Sequence, residues 1–193
     1  MPRVKTLVSV QSNIEPAKLQ QLEKERPCSK QPDRTYPTWS SRILKGTIDK
    51  LIRHAIVKEL PHCQCRFEVS LFICDDKQIT ELNTAYLERA YPTDVLSFPQ
   101  LPEDELERLK QPHKCDAHRA IQLGDIVVSI DAILRQAKRY RQSPIDELMR
   151  LVIHGLLHLL GYDDTTSIGR KAMTKRELTL IRSWRLREFG KAV

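Results

Sequence analysis

The chain has 193 residues, a formal net charge of +7 and 40% apolar residues, which fits one domain with a hydrophobic core and terminal extensions. No stretch approaches the roughly 18 consecutive apolar residues of a membrane-spanning helix, and the N-terminus lacks the pattern of a secretory signal. We therefore predict a cytoplasmic protein with no membrane partner. The five cysteines, an odd number without a Cys-x-x-Cys pair, indicate a reducing compartment rather than a disulfide framework.

The N-terminal region predicts a strand followed by a polar segment. Residues 4–11 alternate apolar and polar side chains, and residues 13–39 are polar and contain four prolines. We accordingly divide the chain into residues 1–40, an N-terminal strand plus a polar linker or insertion, and residues 41–193, the functional domain.

The remaining elements follow from hydrophobic periodicity and capping residues. The pattern predicts helices over residues 41–60, 76–86, 103–110, 132–141, 144–160 and 168–189, and strands over residues 67–74, 94–98 and 126–130. Asp131 is predicted to cap the fourth of these helices, and Ser143-Pro144 to open the fifth. This order indicates an α+β fold with one small mixed sheet of about four strands covered by helices, and the apolar helix over residues 144–160 lies at its centre.

Basic residues cluster in two places. Residues 168–193 contain eight basic side chains against two acidic ones, and a second group comprises Arg135, Lys138, Arg139 and Arg141. Such clusters are typical either of solvated helix faces or of a surface that attracts phosphates.

The segment from His154 to Asp164, with the sequence His-Gly-Leu-Leu-His-Leu-Leu-Gly-Tyr-Asp-Asp, is the most informative part of the chain. Residues four apart lie on one helix face, so the rings of His154 and His158 can reach one metal ion. Gly161 is placed to end the helix with a positive φ and to turn Asp163 and Asp164 back towards the histidines.

This segment has two other interpretations. The histidines could instead be buried core residues hydrogen-bonded to carbonyl groups, but two unpaired imidazoles in so apolar a helix would be costly. A zinc protease of the His-Glu-x-x-His type needs a glutamate after its first histidine, and this chain has Gly155 there. Peptide hydrolysis by that mechanism is therefore disfavoured.

Three ordered segments resemble the YbeY family of single-metal endoribonucleases. They are Leu82-Asn83 followed by Pro-Thr-Asp-Val-Leu-Ser-Phe-Pro at 92–99, Leu-Gly-Asp-Ile-Val-Val-Ser at 123–129, and the histidine segment at 154–164. The resemblance runs from about residue 43 to residue 180. It implies an α+β fold, a zinc-type metal in a basic cleft, and a role in ribosomal RNA maturation and ribosome quality control, with ribosomal RNA and the small ribosomal subunit as partners.

The resemblance also implies a ligand set, from which this chain departs at one position. The family's first two histidine ligands match His154 and His158, and its third histidine falls on Asp164. A carboxylate oxygen is an acceptable zinc ligand, and it moves the preference of the site towards manganese or another oxygen-binding divalent metal. Asp163, His113 and His118 are alternative third ligands. We expect one ion per chain, with zinc as the first choice.

A second departure concerns an arginine. The family carries it four residues after the asparagine of the first segment, and this chain has Leu87 there. Arg89, two positions further on, could replace it as a catalytic side chain that holds a phosphate, or could be an exposed loop residue.

The leading hypothesis is a single-strand-preferring, metal-dependent endoribonuclease in which the ion activates a coordinated water. One alternative is a ribosome-associated RNA-binding protein with a structural or lost metal site. Another is a metallohydrolase that acts on a different ester or amide.

Overall fold

A single mixed sheet and six helices make up the part of the chain that the structure, a computed structural model, describes: residues 5–12, 18, 41–112 and 119–190. The strands are β1 (Lys5–Ser12), β2 (Arg66–Cys74), β3 (Val95–Pro99) and β4 (Ala120–Ser129). The helices are α1 (Ser41–Glu59), α2 (Asp76–Leu87), α3 (Glu103–Lys110), α4 (Ile130–Tyr140), α5 (Pro144–Leu159) and α6 (Ser167–Phe189). The predicted α+β class with four strands is confirmed.

The sheet has the strand order β1-β2-β4-β3. Strands β1, β2 and β4 are parallel, and β3 lies antiparallel at the edge beside β4. Parallel neighbours require long crossover connections, and α1 lies in the connection between β1 and β2. Because β2 and β4 end at the same edge of the sheet, the caps of the helices that follow them, Asp75 and Ser129, both lie there.

Helix α5 is the centre of the structure. It contacts β3 and β4 on one side and α1, α4 and α6 on its others, and 13 of its 16 residues are buried. This placement confirms the prediction from its nearly all-round apolar sequence.

Gly155 lets α5 approach the sheet closely. A Cβ atom at this position would lie 2.8 Å from Ile126 Cγ2 and 3.0 Å from Ser97 Oγ. The Ser97 hydroxyl of β3 in turn donates a 3.2 Å hydrogen bond to the Gly155 carbonyl oxygen. The residue that stands where a zinc protease has its glutamate is therefore a packing contact, and a larger side chain has no room there.

Two details differ from the sequence predictions. Ser129, not Asp131, caps α4, because its hydroxyl oxygen accepts the backbone N–H of Ala132 at 3.1 Å. Asp131 lies in the first turn instead, where it accepts the backbone N–H of Asp76 and pairs with Lys18. Strand β4 also begins at Ala120 rather than at residue 126, since β2 pairs with its N-terminal half.

Some predictions fall on residues outside the described ranges. They are the polar segment at residues 13–39, apart from Lys18, and the alternative ligands His113 and His118. Within the described ranges, no helix has both the length and the apolar character that crossing a bilayer requires.

Candidate metal centre

The two histidines lie on one face of α5, one turn apart. Ser143 caps this helix by accepting the backbone N–H of Asp146 at 3.0 Å, and Pro144 occupies its first turn. The rings of His154 and His158 lie with their centroids 4.9 Å apart. Both rings are partly exposed, by 23% for His154 and 27% for His158, so solvent reaches the site although most residues of α5 are buried.

A tight turn after α5 brings a carboxylate back to this face. Gly161 has φ +83°, a left-handed conformation that a glycine adopts without a Cβ clash, and its N–H bonds to the His158 carbonyl oxygen at 3.0 Å. Gly169 in α6 permits a second close approach, because a Cβ there would lie 2.3 Å from the Asp163 carbonyl oxygen. The turn is thus held between α5 and α6.

Three potential ligand atoms converge at this turn. His154 Nε2 and His158 Nε2 are 3.3 Å apart, and each lies 3.9 Å from an Asp164 carboxylate oxygen. Among the described residues, these three side chains form the one group of histidine, cysteine or carboxylate ligands close enough to hold an ion. The structure therefore brings together the three residues predicted as ligands, and their role as ligands remains a prediction.

The hydrogen bonds of the other ring nitrogens fix which tautomer each histidine adopts. His158 Nδ1 lies 3.0 Å from the Tyr162 carbonyl oxygen, and His154 Nδ1 lies 3.2 Å from Glu177 Oε2. A carbonyl and an ionised carboxylate only accept hydrogen bonds, so both Nδ1 atoms donate. In the neutral rings both Nε2 atoms then carry lone pairs, which face each other at 3.3 Å.

This arrangement fits a divalent metal ion. Two facing lone pairs repel each other unless a cation or a proton lies between them. With bonds of about 2.0–2.1 Å and tetrahedral angles, two zinc ligands lie about 3.3–3.4 Å apart, which matches the separation of the two Nε2 atoms. The 3.9 Å distances to Asp164 require only a small movement of the turn to complete the set.

Asp163, an alternative third ligand, is engaged elsewhere. Its carboxylate accepts the backbone N–H of Thr165 at 2.9 Å and the Thr165 hydroxyl at 2.5 Å. These hydrogen bonds from Thr165 lower the pKa of Asp163. The chain thus presents Asp164, not Asp163, to the histidines.

The residues around Leu87, which stands where the family carries an arginine, are exposed. Leu87, the last residue of α2, is 50% exposed, and Glu88 follows it in a left-handed conformation. The Arg89 side chain is exposed in the loop before β3, and its backbone N–H bonds to the Asn83 carbonyl oxygen at 3.2 Å. Within the described part of the chain, no carboxylate pairs with the Arg89 guanidinium. Its guanidinium is accordingly available to an anion, and its catalytic role remains a prediction.

The sequence interpretation missed Glu177 and the Tyr162 carbonyl, which hold the two imidazoles. Glu177 had a signal, because it is the one acidic residue on the buried face of α6, which otherwise consists of Met173, Leu180, Ile181 and Trp184. An acidic side chain on an apolar helix face needs a partner there. The Tyr162 carbonyl, a backbone group, left no such signal.

The fold and site define a small α+β protein with a two-histidine, one-carboxylate centre on its central helix. A sequence model of the family described as Endoribonuclease YbeY matches residues 35–185. The chain belongs to this family, which confirms the resemblance drawn from the three motifs and the prediction of a nuclease, an enzyme of the hydrolase class.

Individual relatives agree with the family match. The protein named Endoribonuclease YbeY in Sulfurovum sp. is 42% identical over 64% of this chain and 73% of its own length. The protein of the same name in Halalkalibacterium halodurans is 35% identical over 69% of this chain and 87% of its own length. The relative of the same name in Lachnoclostridium phytofermentans is 33% identical over 68% of this chain and 84% of its own length. The solution structure of TM1509 from Thermotoga maritima shares the fold, with a TM-score of 0.51 and 20% identity over 93% of this chain and 89% of that one.

Proposed function

We propose that this protein is a metal-dependent endoribonuclease that prefers single-stranded RNA and acts in ribosomal RNA maturation and ribosome quality control. The convergence of His154, His158 and Asp164 carries the proposal, since it supplies a metal site to a chain of an endoribonuclease family. Zinc, at one ion per chain, is our first choice of metal, and manganese is the second because Asp164 replaces a nitrogen ligand with oxygen.

The residues of the site have separate tasks in this proposal. A bound divalent metal would polarise a phosphoryl oxygen and lower the pKa of a coordinated water. His154, His158 and Asp164 would hold it, and three protein ligands leave a position open to solvent. Glu177 and the Tyr162 carbonyl keep the imidazoles in the tautomer that presents Nε2.

The exposed face of α6 is the surface that best suits an RNA backbone. Arg170, Lys171, Lys175 and Arg182 line a shallow groove there, together with uncharged residues. Among the described residues, no carboxylate forms an ion pair with any of these four side chains. In the second basic cluster, Arg135 pairs with Asp76 at 2.5 Å, so this cluster offers fewer cations without an ion pair than α6 does. We therefore assign phosphate attraction to α6 first.

This surface has a direct test in the salt dependence of RNA binding. Replacing Lys175 with alanine should weaken binding to all single-stranded sequences alike and reduce the slope of log affinity against log salt by about 1. Replacing Lys50, which pairs with Glu188 at 3.1 Å, is the matched control and should leave the slope unchanged. Equal slopes for all three proteins would remove α6 from the RNA interface.

The proposed activity is tested with His154→Ala and Asp164→Ala, using the exposed His62→Ala as the control. Each protein is assayed for metal content and for cleavage of end-labelled RNA in single-stranded and duplex form. We expect the native chain and His62→Ala to cleave single-stranded RNA faster than duplex, and the two site variants to lose both metal and cleavage. Retained cleavage by a folded His154→Ala variant would contradict the proposal.

The two departures from the family pattern favour a second candidate, a ribosome-associated RNA-binding protein whose metal is structural. Leu87 removes a guanidinium, and Asp164 changes the ligand set. This candidate predicts that the protein sediments with the small ribosomal subunit but cleaves no RNA when loaded with metal. Arg89→Ala adds a discriminating result, because it lowers the cleavage rate only if the protein is an enzyme in which Arg89 holds a phosphate.

A further inference from the structure

Behind His154 lies a cluster of four charged side chains. Glu177 of α6 accepts from His154 Nδ1 with Oε2, and its other oxygen, Oε1, lies 3.6 Å from Arg150 Nη1. Arg150 precedes His154 by one turn of α5, so both side chains lie on the same face of the helix. One carboxylate thus joins the predicted ligand to a cation.

Arg150 is fixed by its own partners. Its Nε and Nη2 atoms donate to Glu147 at 3.0 and 2.5 Å, and Nη2 also donates to Gln136 Oε1 at 3.0 Å. Gln136 in turn donates to Asp94 Oδ2 at 3.0 Å, and that oxygen lies 3.9 Å from Arg150. The cluster therefore connects α4, α5 and α6 with the residue that precedes β3.

Charge distinguishes two possible tasks for this cluster. Arg150 is surrounded by three carboxylates, those of Glu147, Glu177 and Asp94, which with one guanidinium gives a formal charge of −2. A phosphate brought to Arg150 would meet this excess of negative charge, whereas a cation at the histidines is attracted by it. The cluster is therefore suited to holding a metal ligand and unsuited to binding substrate.

We propose that Glu177, held in place by Arg150, is a positioning residue that orients His154 and increases the affinity of the site for a divalent cation. This inference rests on the metal site of the proposed function. Carboxylates that accept the second N–H of a ligating histidine set its tautomer, and their removal typically costs about 10–100-fold in metal affinity. Glu177 is almost fully buried, so its contact with His154 is shielded from solvent.

The test compares Glu177→Gln with Glu188→Gln, a control on the same helix whose carboxylate pairs with Lys50 on the surface. Zinc affinity is measured by competition with a chromophoric chelator. Long-range proton–nitrogen NMR of the metal-free proteins reports the tautomer of His154, and the thermal midpoint of those proteins reports the fold. We expect Glu177→Gln to bind zinc about 10-fold or more weakly and to lose the pure Nδ1–H tautomer, with Glu188→Gln unchanged in both.

The outcomes separate this inference from the proposed function. Zinc affinity of Glu177→Gln within about twofold of native, with the tautomer retained, would overturn the positioning role and leave the metal site standing. A native chain that binds no divalent metal would overturn the site and the positioning role together. If Glu177→Gln does not fold, the native NMR spectrum decides, since His154 in the Nε2–H tautomer contradicts the proposed contact.

Discussion

Two helical glycines form a matched pair for testing how α5 packs on the sheet. A Cβ at Gly155 would meet Ile126 Cγ2 at 2.8 Å and Ser97 Oγ at 3.0 Å, and neither neighbour is free to move away. Ile126 is fully buried, and Ser97 is bonded to the Gly155 carbonyl. Gly46 of α1 is exposed and has no atom within 4 Å of its added Cβ. The same substitution thus samples an open and a closed environment.

The expected effects have opposite signs. Alanine is better than glycine in a helix interior by about 1 kcal/mol, so Gly46→Ala should raise the free energy of unfolding by about that amount. Gly155→Ala has the same gain in helix propensity, but overpacking costs about 1–3 kcal/mol. Strain on the Ser97 hydrogen bond costs about 1 kcal/mol more. We expect Gly155→Ala to lower the free energy of unfolding by about 2 kcal/mol, which places the two variants about 3 kcal/mol apart.

Urea unfolding followed by circular dichroism measures this difference, and zinc competition measures its effect on the site. Relief of the clash displaces α5, which carries both histidines, so Gly155→Ala should also bind zinc more weakly while Gly46→Ala binds as the native chain does. If Gly155→Ala were as stabilising as Gly46→Ala, the close approach of α5 to β3 and β4 would be refuted.

Three further predictions concern titratable side chains other than the candidate ligands. Burial and the nearby charges of Arg187 and Lys58 lower the pKa of His54 below 6.5. The unfolded chain therefore binds one more proton than the folded chain, and the free energy of unfolding falls as the pH drops through about 6.5. Urea unfolding at roughly pH 7.5 and 5.5 should show this fall, and His54→Gln should reduce it. Burial raises the pKa of Cys74 to about 12, so iodoacetamide at about pH 8 should leave this thiol unmodified until the protein unfolds. Rapid alkylation of Cys74 in the native chain, located by peptide mass spectrometry, would contradict this. Burial and the 2.8 Å hydrogen bond to Glu59 raise the pKa of Tyr162 to about 12. Tyr162→Phe should lower the free energy of unfolding in urea by about 1–2 kcal/mol. Zinc affinity should stay unchanged, because Tyr162 bonds to His158 through its backbone carbonyl.

Local signals explain which elements could be predicted from the sequence. The turn at Gly161, the cap at Ser143 and the apolar periodicity of α5 each act within a few residues, and together they place two histidines and a carboxylate on one side of a helix. For the short helix α3, bounded by Pro102 and Pro112, the sequence pattern predicts the same residues that the structure shows.

The missed features depend on partners that are distant in sequence. The first half of β4 contains Gln122 and Gly124, and it is a strand because β2 pairs with it, for example through Ile121 beside Phe67. The contact between Glu177 and His154 joins residues 23 positions apart on different helices. Its geometry becomes evident only when α5 and α6 pack together, so the sequence predicts the three side chains that converge but not the groups that hold the imidazoles.

We propose above all that RNA cleavage depends on one metal ion held by His154, His158 and Asp164. The most direct test of this proposal is to titrate zinc into chelator-stripped protein while recording cleavage of a labelled single-stranded RNA. We predict no cleavage by the stripped protein and a rate that rises until about one ion is bound per chain, with Asp164→Ala needing far more zinc. Cleavage by the stripped protein, or none at full occupancy with either zinc or manganese, would contradict it.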